Sequence, residues 1–148
     1  MAVVFVGEGA VRQQGKISSE IEVEDHAKGI DQRDGRIDRL RAGAEVLVPT
    51  VVALELWYGV DNSAHPDANA RRVETFFAGP LGLLPFQEED ARSAGRVRAA
   101  WEAAGKPMGT YDLLIAGQAL RHRVTLVTAN AKEFGRVKGL VWEDWAKR

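Results

Sequence analysis

The run Gly109-Thr110-Tyr111-Asp112-Leu113-Leu114-Ile115-Ala116-Gly117-Gln118-Ala119-Leu120 leads through Arg121-His122-Arg123 into Val124-Thr125-Leu126-Val127-Thr128-Ala129-Asn130, and it constrains this chain more than any other stretch. Apolar residues fill almost every position of the first part, so a helix there has no polar face to offer water and belongs in a core. The β-branched run that follows predicts a buried strand ending on the polar Thr-Ala-Asn. A single acid, Asp112, stands at the mouth of the helix. The helix dipole favours an acid in the first turn by about 0.3–1 kcal/mol without any function, and a functional carboxylate would occupy the same position.

The rest of the chain repeats the alternation of strand and helix. Residues 2–6 form an apolar, β-branched run closed by Gly7-Glu8-Gly9, which predicts a first strand. Residues 10–41 are polar and charged with sparse apolar positions; Ser18 or Ser19 is placed to cap one helix, and residues 35–41 resemble the last turns of another. Residues 45–49 predict a second strand stopped by Pro49, with Thr50 placed to cap a helix over 51–60 that ends at Gly59 or in Asp61-Asn62-Ser63. His65-Pro66 opens a helix carrying Val73, Phe76 and Phe77, broken at Gly79-Pro80, and a third strand is expected within 81–86. Glu88-Glu89-Asp90 supplies first-turn acids that complement the dipole of a helix running to about residue 104. After Asn130 a turn holding Phe134 precedes a last strand within 139–142. This spacing predicts one α/β domain over 1–148, with a mainly parallel sheet covered on both sides and with residues 7–42 atypical.

Composition narrows the chemistry. The absence of cysteine excludes disulfides and thiolate metal sites, and suits a reducing compartment. No apolar run approaches the roughly 20 residues needed to span a bilayer, so a soluble, cytoplasmic protein is expected, with no membrane partner. Acids outnumber bases over residues 1–90, whereas residues 91–148 carry more than two bases for each acid, including Arg92, Arg96, Arg98, Arg121, Arg123, Lys132, Arg136 and Lys138. That bias suits a phosphate-bearing partner, or is a solvated basic surface.

If the strands are parallel, their carboxyl ends share one edge, where ligands bind in open α/β sheets. Glu8 follows the first strand, Glu55 lies one turn into the helix after the second, Asp112 begins the helix before the fourth, and Asn130 follows that strand. Val51, Val52, Tyr58 and Gly59, the helical neighbours of Glu55, include no cation. It is therefore either a carboxylate kept for a bound cation or the one side of the helix that faces water. Hard oxygen ligands without His or Cys suit Mg²⁺ or Mn²⁺, and the matching chemistry is metal-assisted phosphodiester hydrolysis. His26, His65 and His122 lack ligand-like spacing for zinc, Gly7-Glu8-Gly9 lacks the Lys-Ser/Thr of a phosphate-cradling loop, and no nucleophile elbow is present.

Three motifs, in order over residues 44–145, resemble one family. Val48-Pro49-Thr50 followed by Glu55-Leu56-Trp57-Tyr58-Gly59 resembles the Glu-Leu-x-x-Gly helix of PIN-domain ribonucleases, specifically the VapC toxins of bacterial type II toxin–antitoxin systems. The segment from Pro107 through Asp112 to Ala116 is similar to the helix bearing that family's third acid, and Leu126-Val127-Thr128-Ala129-Asn130-Ala131-Lys132-Glu133-Phe134 to its C-terminal segment. The resemblance implies a three-layer α/β/α domain around a mainly parallel sheet of four or five strands. It also implies a Mg²⁺- or Mn²⁺-dependent endoribonuclease acting on RNA, a homodimer, and inhibition by a small antitoxin protein. Glu55 takes the place of the second acid and Asp112 that of the third; Asn130 falls at a fourth polar position, and Thr128 beside it is placed to orient a ligand or water. The departure is at the start, where the family runs from an apolar strand into Asp-Thr/Ser-Asn and this chain has Gly7-Glu8-Gly9. Glu8 is one position late and one methylene longer than the family's first metal ligand. Two functions follow: an RNA-cleaving toxin using Asp112, Glu55, Asn130, Thr128 and Glu8, or a catalytically impaired relative that binds antitoxin or RNA. Trp57-Tyr58 is either core or a partner contact.

Overall fold

The computed structural model describes residues 3–8, 44–79 and 81–144, and for residues 3–8, 44 and 45 it describes the backbone alone. The helices expected between residues 10 and 41 lie outside the described residues. Five strands, β1 (Val3–Glu8), β2 (Ala44–Pro49), β3 (Gly82–Leu84), β4 (Thr125–Thr128) and β5 (Trp142–Glu143), form one sheet in the order β3-β2-β1-β4-β5. The described helices are α1 (Thr50–Asp61), α2 (Pro66–Phe77), α3 (Glu88–Ala103), α4 (Thr110–His122) and the single turn α5 (Ala131–Phe134). They flank the sheet in the three-layer α/β/α arrangement expected. No helix among the described residues is long and apolar enough to cross a membrane.

Strands β2, β3, β4 and β5 run in one direction, so the sheet is mainly parallel, and β1 is the exception. It lies antiparallel to both neighbours, with Phe5 opposite Leu47 on one side and Val3 opposite Thr128 on the other. The shared carboxyl edge therefore belongs to β2, β3, β4 and β5, and Pro49 and Thr128 end the two strands that flank β1 there. Glu8 pairs with Ala44 at the opposite edge.

The core is a single cluster built from the apolar faces that the spacing predicts. Val51, Val52, Leu56 and Val60 of α1, Val73 and Phe77 of α2, and Leu113, Ile115, Ala116 and Ala119 of α4 are buried in it with Leu126 and Val127 of β4. Trp57 packs against this cluster while Tyr58 remains 64% exposed, so the aromatic pair divides between core and surface. Helix α3 packs most extensively on α4, and the two meet where Gly117 faces Ala94: a Cβ on Gly117 would lie 2.4 Å from Ala94 Cα. The α3–α4 connection begins with Gly105 at φ +66, where the Lys106 and Gly105 amides donate to the Trp101 and Glu102 carbonyls. This left-handed closure is what a glycine two residues past a helix permits.

The capping expectation for Thr50 fails. Thr50 is the first helical residue of α1, preceded by Pro49 as cap, and the helix start has no side-chain cap. The Thr50 hydroxyl instead accepts the Phe86 amide at 3.2 Å, tying the start of α1 to the segment after β3.

Candidate acidic site at the strand ends

Three connections converge on the edge where β2 and β4 end. Pro49 passes straight into α1, which carries Glu55 in its second turn; α4 runs back against β4 and so begins at this edge with Asp112 in its first turn; and Thr128 leads through Asn130 into α5. Glu55, Gly109, Thr110, Tyr111 and Asp112 line one concavity of about 230 Å³, walled by Val52 and Ile115. That volume is below the range of about 300–1,000 Å³ usual for a small-molecule pocket, so it suits an ion and a phosphate better than a whole nucleotide.

Hydrogen bonds fix the polar half of the site. The Asn130 side-chain amide donates to Asp112 Oδ2 at 3.4 Å, and the Asn130 backbone amide donates to the hydroxyl of buried Thr128 at 3.0 Å. Thr128 thus sets the turn that aims Asn130, and Asn130 steadies the carboxylate. Burial holds the Asp112 carboxyl above its usual value, and the neighbouring charges of Glu133 and Glu55 push it further in the same direction. A carboxylate desolvated and faced by like charges is one that a cation would relieve.

Glu55 itself is exposed, as its water-facing reading required, yet it shares the concavity with Asp112. Glu8 is not brought to this site. Val3 stands at the Thr128 edge, and Glu8, five residues further along β1, is displaced by about 17 Å at about 3.4 Å per residue. The direction of β1 is the cause, since a parallel strand would have delivered Glu8 where an antiparallel one delivers Val3. Glu133 is the residue that sequence reasoning passed over. It stands three positions after Asn130 on α5, so an acid one helical turn beyond the strand-end amide was the available signal.

The donor chemistry fits Mg²⁺ or Mn²⁺, because only hard oxygens face the concavity. Among the described residues no three of His, Asp and Glu are grouped closely enough to hold a metal ion. Mg²⁺ commonly takes one or two carboxylates and keeps several waters, and Asp112 with Glu55 can supply that much.

A second polar cluster lies away from this edge. Asp90, fully buried in the first turn of α3, accepts the Gln87 amide at 2.8 Å, the Gln118 side-chain amide at 3.3 Å and Arg121 at 3.2 Å. Burial lowers the His122 pKa from its ordinary 6.5, against the pull of Asp90, which raises it. Nε2 of the neutral ring then accepts Arg121 at 3.0 Å, while Asp90 Oδ1 lies 3.2 Å away as the partner for a protonated ring. This cluster clasps α3 to α4 and takes no part in the concavity.

Comparison with known proteins places this geometry in context. Residues 21–140 match the PIN domain family. The chain is similar to the tRNA(fMet)-specific endonuclease VapC of Shigella flexneri, 34% identical over 69% of this chain and 76% of that protein. It is also similar to ribonuclease VapC2 of Rickettsia felis, 32% identical over 79% of this chain and 87% of the relative. Among solved structures, that of VapBC2 from Rickettsia felis bound to a DNA fragment from their promoter contains a chain that superposes with a TM-score of 0.72 at 29% identity, covering 82% of this chain and 92% of that one.

Proposed function

This chain belongs to the PIN-domain family and is closely related to the VapC toxins of type II toxin–antitoxin systems, and from that premise we propose that it is a Mg²⁺- or Mn²⁺-dependent endoribonuclease toxin of the cytoplasm. The observation that carries the reading is the convergence of Asp112 and Glu55 onto one concavity at the strand ends, with Asn130 bonded to Asp112 from the third connection. Asp112 and Glu55 would hold the metal, which supplies Lewis acidity toward water and phosphate when bound. Asn130 orients the Asp112 carboxylate and Thr128 fixes Asn130; a contact from Asn130 to the metal would pass through water. Glu8, at the far edge of the sheet, has no role in this site.

The protein's partners follow from the same relationship. RNA is the substrate, and a small antitoxin and a second copy of the chain are the protein partners; the related VapBC2 was solved bound to a DNA fragment from its promoter. Leu54 and Tyr58, exposed one turn apart on α1, offer apolar surface for such a contact.

A second reading is supported by the direction of β1. With Glu8 at the wrong edge and no group of three His, Asp or Glu among the described residues, the chain would be a PIN-like protein that binds RNA or antitoxin without cutting. One assay separates the two. The purified protein is incubated with a labelled single-stranded RNA and Mg²⁺ or Mn²⁺, with EDTA and Asp112→Asn as controls. Cleavage that depends on metal and is lost in Asp112→Asn supports the nuclease; intact RNA with either metal supports the binding protein.

A further inference from the structure

Seven basic residues of the second half fall into two sets. Arg92 and Arg98 pair within α3 with Glu88 at 2.6 Å and Glu102 at 2.7 Å, and Arg121 faces Asp90 at 3.2 Å. Arg96, Lys106 and Lys138 have no carboxylate partner among the described residues, and with Arg136 they surround one groove of about 580 Å³. Val97, Trp101, Leu120 and Val137 make its apolar floor. The Arg136 guanidinium sits 4.2 Å from the centroid of the Trp101 ring and 3.5 Å from Glu133 Oε1.

Arg136 has Glu133 beside it, but the three cations without a carboxylate leave the groove net positive and favour an anion within it. The Trp101 ring backs the planar guanidinium, and with Nη1 turned to Glu133 the remaining donors can fork onto a phosphate. Glu133 joins this groove to the acidic concavity, since its carboxylate bonds Arg136 and its charge also reaches Asp112. The concavity is too small to hold the nucleotides that flank a reacting phosphate, so the rest of a bound strand must continue over neighbouring surface.

We infer that the groove of Arg96, Lys106, Arg136 and Lys138 over Trp101 binds the ribose–phosphate backbone of the RNA strand whose reacting phosphodiester lies at Asp112, an inference that rests on the nuclease reading above. Arg136 contacts one phosphate in bidentate fashion, and Arg96 and Lys138 contact others. An acidic protein segment is the competing occupant, but it would lack covalent continuity with the substrate at Asp112.

The test uses Asp112→Asn protein, which cannot degrade the probe, and the fluorescence anisotropy of a labelled mixed-sequence oligoribonucleotide of about 20 residues, titrated at salt from about 50 to about 200 mM. Combined Arg96→Gln and Lys138→Gln should weaken binding about tenfold and lower the slope of log affinity against log salt by about 1.4, the contribution of two single-strand phosphates. Arg92→Gln, already neutralised by Glu88, should change neither. Thermal melting checks that each variant is folded. Unchanged affinity and slope in the double variant overturn the groove, as does loss of poly-glutamate binding while RNA binding is kept. The two readings fail separately: RNA cleavage with a KM indifferent to the double variant leaves the nuclease and removes the groove. Groove-dependent RNA binding by a wild-type chain that never cleaves leaves the groove as an RNA site and removes the nuclease.

Discussion

Asp90 and Asp112 are each the third residue of their helix, and dipole complement explains both equally well from the sequence. Their surroundings separate them. Asp90 is wholly buried and receives Gln87, Gln118 and Arg121, so Asp90→Ala would strand a buried amide and a cation. Removing one partner of such a cluster costs about 3 kcal/mol, or about 10 °C in Tm, which differential scanning calorimetry would read. Asp112 should respond in the opposite sense. Its folded carboxyl holds a proton more tightly than the unfolded one, so stability without metal falls as pH rises from 3.8 through the raised pKa. Asp112→Asn should therefore raise Tm in EDTA at pH 7 while losing the stabilisation that added Mg²⁺ gives the wild type. His122 governs a separate window. Its folded pKa lies below 6.5, so the folded state resists protonation, and the stability present above pH 6.5 should be lost as pH falls below it. That slope should be absent in His122→Gln. Gln118 and Arg121 stand about thirty residues downstream of Asp90, which is why its local setting suggested nothing beyond a dipole complement.

At the scale of elements, the α3–α4 pair joins the basic groove to the acidic edge, and its spacing is set by one glycine. A Cβ at Gly117 would press to 2.4 Å from the backbone of Ala94, whereas one at Gly95 meets nothing within 4 Å. Gly117→Ala should thus cost about 2–3 kcal/mol by wedging the helices apart. Gly95→Ala, on the facing helix, should stabilise by about 0.5–1 kcal/mol through helix propensity alone. Urea titration of both variants checks the contrast, and equal effects would mean that the helices do not meet at Gly117. Helix existence was legible because periodicity is local: α1, α2, α3 and α4 fall within one or two residues of expectation. Which hydroxyl caps a helix was not, because Thr50 is taken by the Phe86 amide from 36 residues away. Asp112 and Asn130 were legible because each sits at an element end on the β2–β4 edge, and Glu55 because it lies in the second turn of the helix that leaves that edge. Glu133 was obscured by a turn too short to register as a helix.

For the whole molecule the decisive feature is the direction of β1. A short apolar run fixes that a strand forms and that it is buried, but carries no sign of which way it runs; direction comes from the connection that follows. The expectation that all strand ends share one edge therefore held for β2, β3, β4 and β5 and failed for β1, taking Glu8 with it. The described topology nonetheless makes β1 the middle strand, flanked by β2 and β4. Every amide along its paired length serves one neighbour or the other, so a proline there removes a ladder hydrogen bond and cannot be accommodated as it could at an edge. Val4→Pro, opposite Val127, should cost about 3 kcal/mol or more and uncouple β2 from β4. The same substitution at Val141, exposed before the edge strand β5 and with only its carbonyl bonded, to the Leu126 amide, should cost much less. Circular dichroism melts of the two variants would decide the matter. If Val4→Pro melts with the wild type, β1 is not central, the β2–β4 edge is free to receive another strand, and Glu8 returns as a candidate for the acidic site.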